Sequence, residues 1–203
     1  MDFARPIQAV IPGAQGRVLA TLARVTDQMN LRTVADLSGV SVAQASRVLA
    51  RLVDLGLVER RDVPPSALFR LDRRNLAIRS VLELGDLRQR LLDELAAAAE
   101  AIEPSPVNIT VFGSFARGEE RPDSDLDVLV VRPAAADHDD DRWAKSLGAW
   151  VDTARYLSGN RVEVLEVEDR ELGALLRSKR RVWIDIRRDG VRLFGRSLEK
   201  VTS

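Results

Sequence analysis

The chain has no cysteine and only one histidine, His138, among its 203 residues. Without cysteine, neither a disulfide nor a thiolate metal site can form. Cysteine usage therefore does not indicate whether the protein lies in an oxidising or a reducing cellular compartment. A single histidine leaves no polyhistidine zinc site, and we expect no histidine-based catalytic triad either. Any metal bound by this chain must therefore depend mainly on oxygen ligands.

Long apolar runs are also missing. No stretch approaches the roughly 20 apolar residues that a membrane helix requires, although 45% of the residues are hydrophobic. The first residues show no charged segment followed by an apolar one, which is the pattern of a secretory leader. We therefore expect a cytoplasmic chain without a membrane partner, long enough for one domain or two small ones.

Net charge is zero, but the charge is unevenly spread. Residues 1–80 contain 12 arginines, no lysine and 7 acidic residues, a surplus of 5 positive charges that the remaining 123 residues must balance. A basic amino-terminal part suggests a nucleic-acid partner. Aromatic residues are scarce among these arginines, which argues against stacking on single-stranded bases.

The basic part has the periodicity of a helix-turn-helix. Residues 13–24 predict an amphipathic helix, and residues 33–37 predict a second, short helix that ends at Gly39. Ser41 then caps a third helix that runs to Leu55. Two helices joined by a short turn containing glycine form a helix-turn-helix.

A wing is predicted directly after this motif. Residues 57–61 and 67–71 have strand patterns around the turn Pro64-Pro65-Ser66. Residues 12–79 as a whole resemble the winged helix-turn-helix domains of bacterial regulators, and the segment 52–60 is the most similar phrase. The resemblance implies double-stranded DNA as a partner, and a homodimer on palindromic sites. The alternative is a winged helix used for protein contacts or dimerisation.

In such domains the second helix of the motif enters the major groove by its amino-terminal half. The resemblance therefore implies two sets of DNA-binding residues. The candidates for base contacts are Ser41, Gln44, Ala45 and Arg47. The arginines near the wing that suit phosphates are Arg60, Arg61 and Arg70.

The second half of the chain contains the motif GSFARG, residues 113–118, followed by SDLD, residues 124–127. Residues 107–112 predict a buried strand rich in β-branched residues, which the Gly113-Ser114 turn ends. The backbone N–H groups of this turn and the Ser114 hydroxyl are free to hold a phosphate. A glycine at 113 allows the backbone to approach that phosphate closely.

Asp125 and Asp127 open the next predicted strand. Side chains two residues apart point to the same face of a strand, so both carboxylates can reach one divalent cation, or two cations bridged between them. The plainer alternative is a surface turn followed by a strand with a polar start. It leaves both acids unexplained, because two carboxylates on one face repel each other unless a cation lies between them.

These residues resemble the nucleotidyltransferase superfamily of DNA polymerase β, whose signature is Gly-Ser, a spacer and Asp-x-Asp. The small bacterial members, the minimal nucleotidyltransferases, are the most similar. The resemblance implies transfer of a nucleoside monophosphate from an NTP such as ATP to a protein or tRNA acceptor, often in toxin-antitoxin or defence systems. It implies two Mg²⁺ ions at the catalytic and metal-binding residues Asp125 and Asp127. It also implies nucleotide contacts from Gly113, Ser114, Arg117 and Ser124, where Arg117 either binds phosphate or braces the loop.

A third carboxylate is expected on a later strand. Residues 161–167 are the only later segment with apolar and polar alternation that bears acids, and Glu163 is the candidate catalytic and metal-binding residue. The family usually has an aspartate there, so the chain departs from the pattern by one methylene. The longer side chain could bind metal or accept a proton, or it could weaken the activity. Glu166, on the opposite face, and Glu168 are the less favoured alternatives.

The remaining segments complete an α+β fold: a winged helix-turn-helix, a connecting helix and a mixed sheet with helices. Residues 75–102 predict one connecting helix, or two that meet near Gly85. We expect domains at 1–75, 76–103 and 104–203. Helices are predicted at 143–157 and 171–183, a final strand at 191–195, and a solvated acidic loop at 137–141.

Two functions from different classes compete with acceptor modification. The chain could be a transcription regulator whose transferase domain only senses nucleotide. An antibiotic-modifying transferase is less favoured, because the chain offers little room for an aminoglycoside pocket and such an enzyme needs no DNA-binding domain.

Overall fold

The computed structural model describes residues 1–121, 123–136 and 140–198. The chain divides into two compact units. The N-terminal unit is Arg5–Leu87, and the C-terminal unit is Met1–Ala4 together with the described residues from Arg88 onward. The division falls inside residues 76–103, the segment predicted as a connecting helix. No helix among the described residues is long and apolar enough to cross a membrane.

The N-terminal unit contains the predicted helix-turn-helix and wing. Its elements are α1 (Pro6–Val10), α2 (Gly13–Ala23), β1 (Met29–Asn30), α3 (Leu31–Ser38), α4 (Val42–Asp54), β2 (Val58–Val63), β3 (Ser66–Leu71) and α5 (Leu76–Gly85). Strand β3 lies between β1 and β2 and is antiparallel to both. The sequence pattern did not predict α1 and β1, because each is too short to show a period.

Helix α4 begins with a reciprocal cap. The Ser41 hydroxyl accepts from the Gln44 N–H at 3.2 Å, and the Gln44 side-chain oxygen accepts from the Ser41 N–H at 3.1 Å. The turn before it contains Gly39 at φ +62°, a conformation that glycine adopts without steric cost. The helix then buries Leu49 and Leu52 in the core that it shares with α2. The cap, the turn and the apolar face of α4 are thus all those expected of a helix-turn-helix.

The C-terminal unit is built on a mixed four-stranded sheet of order β6-β5-β4-β7. Its elements are α6 (Leu87–Ala99), β4 (Asn108–Phe112), α7 (Gly113–Arg117), β5 (Leu126–Arg132), α8 (Asp141–Ser158), β6 (Val162–Glu168), α9 (Asp169–Arg177), α10 (Arg181–Asp189) and β7 (Val191–Gly195). Strands β5 and β6 are parallel, and the other neighbours are antiparallel. Parallel strands need a crossover, which α8 provides. This arrangement confirms the predicted α+β class.

Helices cover both faces of the sheet. On one face, Leu129 and Val131 of β5 pack with Trp183 and Ile186 of α10. On the other face, the Trp143 indole of α8 donates to a Glu166 side-chain oxygen at 3.0 Å. Because successive strand residues alternate between faces, these contacts fix which acids of β6 lie on the α10 side.

Two stretches differ from the simplest sequence interpretation. Residues 171–183, predicted as one helix, are the separate helices α9 and α10, because Ser178 and Arg180 have extended backbones. This break lets both short helices turn apolar residues toward one core. Residues 75–102 likewise form two helices, α5 and α6, which are separated at Asp86.

The acidic run at 137–141 is only partly described, since residues 137–139 lie outside the described part of the chain. Its last two residues belong to the start of α8. The Asp140 carboxylate accepts from the N–H groups of Arg142 at 2.9 Å and Trp143 at 3.2 Å. Asp140 is therefore a helix cap, the role that aspartate favours at this position.

Candidate functional site

The turn and the three predicted carboxylates come together at one end of the four-stranded sheet. Parallel pairing of β5 and β6 places Asp127 directly beside Glu163. Antiparallel pairing of β4 and β5 places Phe112, the residue before Gly113, on the other side of Asp127. Asp125 lies just ahead of β5, two residues earlier. Strand register alone thus collects residues that are distant in the sequence.

Gly113 makes room for Asp127. Its φ of +72° is in the left-handed region, and a Cβ added there would lie 2.2 Å from the Asp127 Oδ2 atom. No carbon can approach an oxygen so closely, so any other residue at 113 would displace the carboxylate. The glycine was predicted from the needs of a phosphate, and its contact with Asp127 is a second, steric reason for it.

Burial and the neighbouring carboxylates disfavour the ionised form of Asp127. Burial is the main cause that raises the pKa of Asp127, and the charges of Asp125 and Glu163 raise it further, while Arg117 acts in the opposite direction. Asp125 is partly exposed and lies 3.2 Å from the Nε atom of Arg161. A bound cation would offset the repulsion around Asp127.

These carboxylates do not form a closed metal cage. Among the described residues, no group of three or more histidine, cysteine, aspartate or glutamate side chains is arranged to hold a metal ion. Magnesium in proteins is usually held by one or two carboxylates, with water and substrate phosphates as its other ligands. Asp125 and Asp127 fit that pattern, and Glu163 is exposed beside them.

Arg117 braces the turn. Its Nε atom donates to a Glu119 side-chain oxygen at 2.7 Å, and its Nη1 atom lies 3.6 Å from the Asp189 Oδ2 atom at the end of α10. Of the two roles considered from sequence, these contacts favour the bracing role. Arg117 also contributes positive charge near Asp127.

Ser124 holds the loop that leads into Asp125. Its hydroxyl accepts from the Arg121 N–H at 2.9 Å, and its carbonyl accepts from the Asn160 side chain at 2.8 Å. The contact with Asn160 ties this loop to the segment before β6. Ser124 thus orders the approach to the acids, and its contact with nucleotide stays a prediction. Ser114 is half-buried at the start of α7.

The other acids of β6 are used elsewhere. Glu166 lies on the opposite face from Glu163, as strand parity predicts, and it accepts from Trp143. The buried Arg132 guanidinium lies 3.0 Å from Glu166 and 2.7 Å from Glu168. Both alternatives to Glu163 are therefore engaged with Arg132, away from Asp127.

In the N-terminal unit, one predicted DNA contact is wrong. Ala45 is fully buried, because it lies on the same face of α4 as Leu49 and Leu52. Its side chain cannot reach a base. Ser41, Gln44 and Arg47 are exposed, although Ser41 and Gln44 also cap the helix. Arg51 is also exposed on α4, beyond the amino-terminal half.

The three arginines near the wing differ in whether they form ion pairs. Arg60 pairs with Asp62 at 2.8 Å, and Arg70 pairs with Glu59 at 2.7 Å. Arg61 is exposed and pairs with no carboxylate in the described part of the chain. Of the three, Arg61 is the one that a phosphate can contact without breaking an ion pair.

Two parts of the chain match families of known proteins. Residues 92–187 match the family model of the nucleotidyltransferase domain, and residues 11–67 match that of the MarR family. The chain joins a MarR-family domain to a nucleotidyltransferase domain. The match to the nucleotidyltransferase domain includes the Gly113-Ser114 turn and all three carboxylates. No curated protein matches the chain.

Several solved structures resemble parts of the chain. A toxin-antitoxin structure with AMP-PNP is 18% identical, covering 56% of this chain and 79% of that chain, with a TM-score of 0.36. NadR with 4-hydroxyphenylacetate is 20% identical, covering 45% and 69%, also with a TM-score of 0.36. RV1404 from Mycobacterium tuberculosis is 30% identical, covering 50% and 69%, with a TM-score of 0.35. At these TM-scores the likenesses support no conclusion about function.

The nucleotidyltransferase domain uses one residue that sequence reasoning missed. The Arg88 Nη2 atom donates to the carbonyls of Phe115 and Ala116, both at 2.9 Å, and its guanidinium lies 5.4 Å from the Phe115 ring centre. Helix α7 is only five residues long, so its last carbonyls lie at the helix end, where that of Phe115 also accepts from the Gly118 N–H at 3.1 Å. Arg88 satisfies two of them and holds the turn. No sequence signal distinguishes Arg88 from Arg90, the other arginine of α6.

Arg88→Met should loosen this turn. Leaving two carbonyls without a charged donor costs about 1.5–3 kcal/mol per bond if unrelieved, and we expect nucleotide affinity to fall roughly tenfold. Titration calorimetry with MgATP measures this. Arg88→Lys should restore part of the affinity, and Arg90→Met, an exposed arginine of the same helix, should change nothing. Equal affinities for Arg88→Met and Arg90→Met would rule out the positioning role.

Proposed function

We propose that the nucleotidyltransferase domain transfers a nucleoside monophosphate from an NTP to a hydroxyl of a macromolecular acceptor, either a protein or a tRNA. The observation that carries this proposal is the meeting of the Gly113-Ser114 turn with Asp125, Asp127 and Glu163 at one end of the sheet. A phosphate-binding turn beside paired carboxylates suits a substrate that carries both phosphates and magnesium. A toxin-antitoxin or defence system is a suitable setting for such a transferase.

Magnesium is the cofactor that these residues fit. Asp125 and Asp127 would hold one or two ions, since no third carboxylate among the described residues is arranged to join them. The missing side chain at Gly113 leaves room for the Asp127 carboxylate beside the turn. When bound, magnesium would stabilise the charge that develops on the attacking and leaving oxygens.

The residues of the chain would then orient substrate and move one proton. The acceptor hydroxyl oxygen bonds to the α-phosphorus, the bond from that phosphorus to the β-bridging oxygen breaks, and pyrophosphate leaves with the electron pair. Glu163 accepts the hydroxyl proton, since its side chain is exposed beside Asp127. The Ser114 hydroxyl and the N–H groups of its turn hold the β- and γ-phosphates. Arg88 and Arg117 keep that turn in position.

A regulator that only senses nucleotide is the second candidate. Two features favour it, the MarR-family domain and a glutamate in place of the third aspartate. Pyrophosphate release separates the two functions. A transferase releases pyrophosphate as it labels an acceptor, and Asp125→Asn should stop the release without weakening DNA binding. A sensor binds the NTP and releases none.

The MarR-family domain, we propose, binds double-stranded DNA as a homodimer in the cytoplasm, where DNA and NTPs are both present. Arg47→Gln and Arg61→Gln should each weaken binding to all sequences if they contact phosphates, and should each lower the salt slope by about 1. Arg79→Gln, an exposed arginine of α5, is the matched control. Fluorescence anisotropy with a duplex over a range of salt concentrations measures the slope. Identical slopes for all four proteins would contradict this surface.

A further inference from the structure

Positive charge is concentrated in residues 177–196 of the C-terminal unit. These twenty residues contain eight lysines or arginines and two aspartates, although the whole chain has zero net charge. All eight basic residues are exposed. The concentration is therefore local, and it opposes the net negative charge of the residues that follow position 80.

Most of this charge is not neutralised within the molecule. Arg181, Arg188 and Arg196 lie within ion-pair distance of aspartates. Five side chains pair with no carboxylate in the described part of the chain: Arg177, Lys179, Arg180, Arg187 and Arg192. We call these five residues the α10 surface. Like charges so close in sequence repel each other, and a polyanion relieves that repulsion.

One end of the α10 surface, at Arg192, lies near the candidate active site. Asp189, the last residue of α10, lies 3.6 Å from the Arg117 guanidinium that braces the nucleotide turn. Strand β7 follows at once, and its Arg192 pairs with Thr110 of β4. Thr110 is two residues before Phe112, which pairs with Asp127. A ligand bound along this surface can therefore extend to the carboxylates.

A cavity of about 390 Å³ opens in the same surface. Its lining includes Thr110, Arg187, Gly190 and Arg192. The two guanidinium groups each donate to one backbone carbonyl, those of Leu176 and Gly195, and keep further N–H donors for a ligand. The volume lies within the range of pockets that hold small organic groups. Arginine suits phosphate because its planar fork can make two parallel hydrogen bonds.

We propose that the α10 surface binds the acceptor, and that the acceptor is an RNA strand. The inference rests on the proposed transfer and names its acceptor class. RNA supplies a phosphate for each basic side chain and a 2′-hydroxyl at every nucleotide, so it brings both the negative charge and the group that attacks. The five side chains are charged and none is aromatic. Binding is therefore electrostatic and tolerant of sequence, and it weakens steeply with salt.

Replacing three basic residues of the α10 surface with glutamine tests whether this surface binds RNA. The variant Arg177→Gln/Lys179→Gln/Arg180→Gln removes three charges, and its matched control is Arg142→Gln/Lys145→Gln/Arg155→Gln on the exposed side of α8. The full-length proteins are titrated into a fluorescent single-stranded RNA at several salt concentrations. The first triple variant should bind at least about tenfold more weakly, with a salt slope lower by about 2, because each single-strand phosphate contact contributes about 0.7. The control should bind as the wild type does.

Further measurements distinguish an error in the RNA-binding proposal from an error in the proposed nucleotidyl transfer. MgATP affinity should be equal in the first triple variant and the wild type, and Asp127→Asn should bind RNA normally while it transfers nothing. Equal RNA binding by both triple variants overturns the proposal. So does label on protein instead of RNA in a lysate, or equal labelling of single-stranded DNA, which has no 2′-hydroxyl. RNA binding without any transfer by the wild type overturns the proposed transfer, and the acceptor role with it.

Discussion

Gly113→Ala should reduce nucleotide transfer by about 100-fold, the loss that follows a displacement of roughly 1 Å at a reacting centre. The added Cβ would lie 2.2 Å from the Asp127 Oδ2 atom, so the carboxylate must leave its place beside Glu163. The residue must also keep a φ of +72°, which costs an L-amino acid roughly 1–2 kcal/mol. We therefore expect lower activity and a lower melting temperature together.

Gly118→Ala separates the two effects. Gly118 has a similar φ of +68°, but a Cβ there would meet nothing within 4 Å. This variant should lose stability to a similar extent and keep most of its activity. Steady-state kinetics and thermal melts on both variants measure the difference. Equal losses of activity would mean that backbone strain in the turn matters and that the contact with Asp127 does not.

Asp127→Asn should remove the stabilisation of the protein by magnesium. A ligand at a hundred times its Kd stabilises the folded state by about 2.7 kcal/mol, and the wild type should gain this amount with magnesium while the variant gains little. Asp123→Asn, in the exposed loop nearby, is the control and should respond as the wild type does. Thermal melts with magnesium and with a chelator measure the gain. A full magnesium response in Asp127→Asn would contradict a metal site at this residue.

The same variant should change the pH dependence of the metal-free protein. Because burial raises the pKa of Asp127 in the folded state, the folded protein keeps a proton that the unfolded chain has already lost. The contribution of Asp127 to the stability of the wild type in chelator should therefore be most favourable below the ordinary aspartate pKa and should fall as pH rises through the raised folded pKa. Asp127→Asn should lack this fall and should be the more stable protein at neutral pH. Parallel profiles of stability against pH for the wild type and Asp127→Asn would contradict a raised pKa of Asp127.

Several parts of this site could be predicted because they depend on local periodicity. A period of two places Glu166 opposite Glu163, and the structure has this arrangement. Asp125, which the same period places on the face of Asp127, lies just ahead of β5. The cap at Ser41 and the left-handed glycine at 39 likewise depend on neighbours within a few residues. Short-range physics determines these features, so composition and spacing are sufficient to find them.

Other parts depend on which elements become neighbours. Gly113 touches Asp127 only because β4 and β5 pair with Phe112 opposite Asp127. The role of Arg88 requires α6 to lie against α7, and nothing in the local sequence specifies that contact. Ala45 was assigned to DNA from its position in the helix-turn-helix, while its burial follows from the apolar face of α4. A small residue such as alanine is compatible with either the core or a DNA-binding surface, so tertiary packing decides which of the two it faces.

Transfer of an α-phosphate label shows whether Asp127 belongs to a nucleotidyltransferase active site. Wild type and Asp127→Asn are each incubated with magnesium, a cell lysate and a nucleoside triphosphate labelled at the α-phosphate, while pyrophosphate is measured. We expect a labelled macromolecule and released pyrophosphate with the wild type, and neither with Asp127→Asn. Binding of the nucleotide by the wild type without label transfer, whichever base is offered, would contradict the proposed activity and leave the nucleotide sensor in its place.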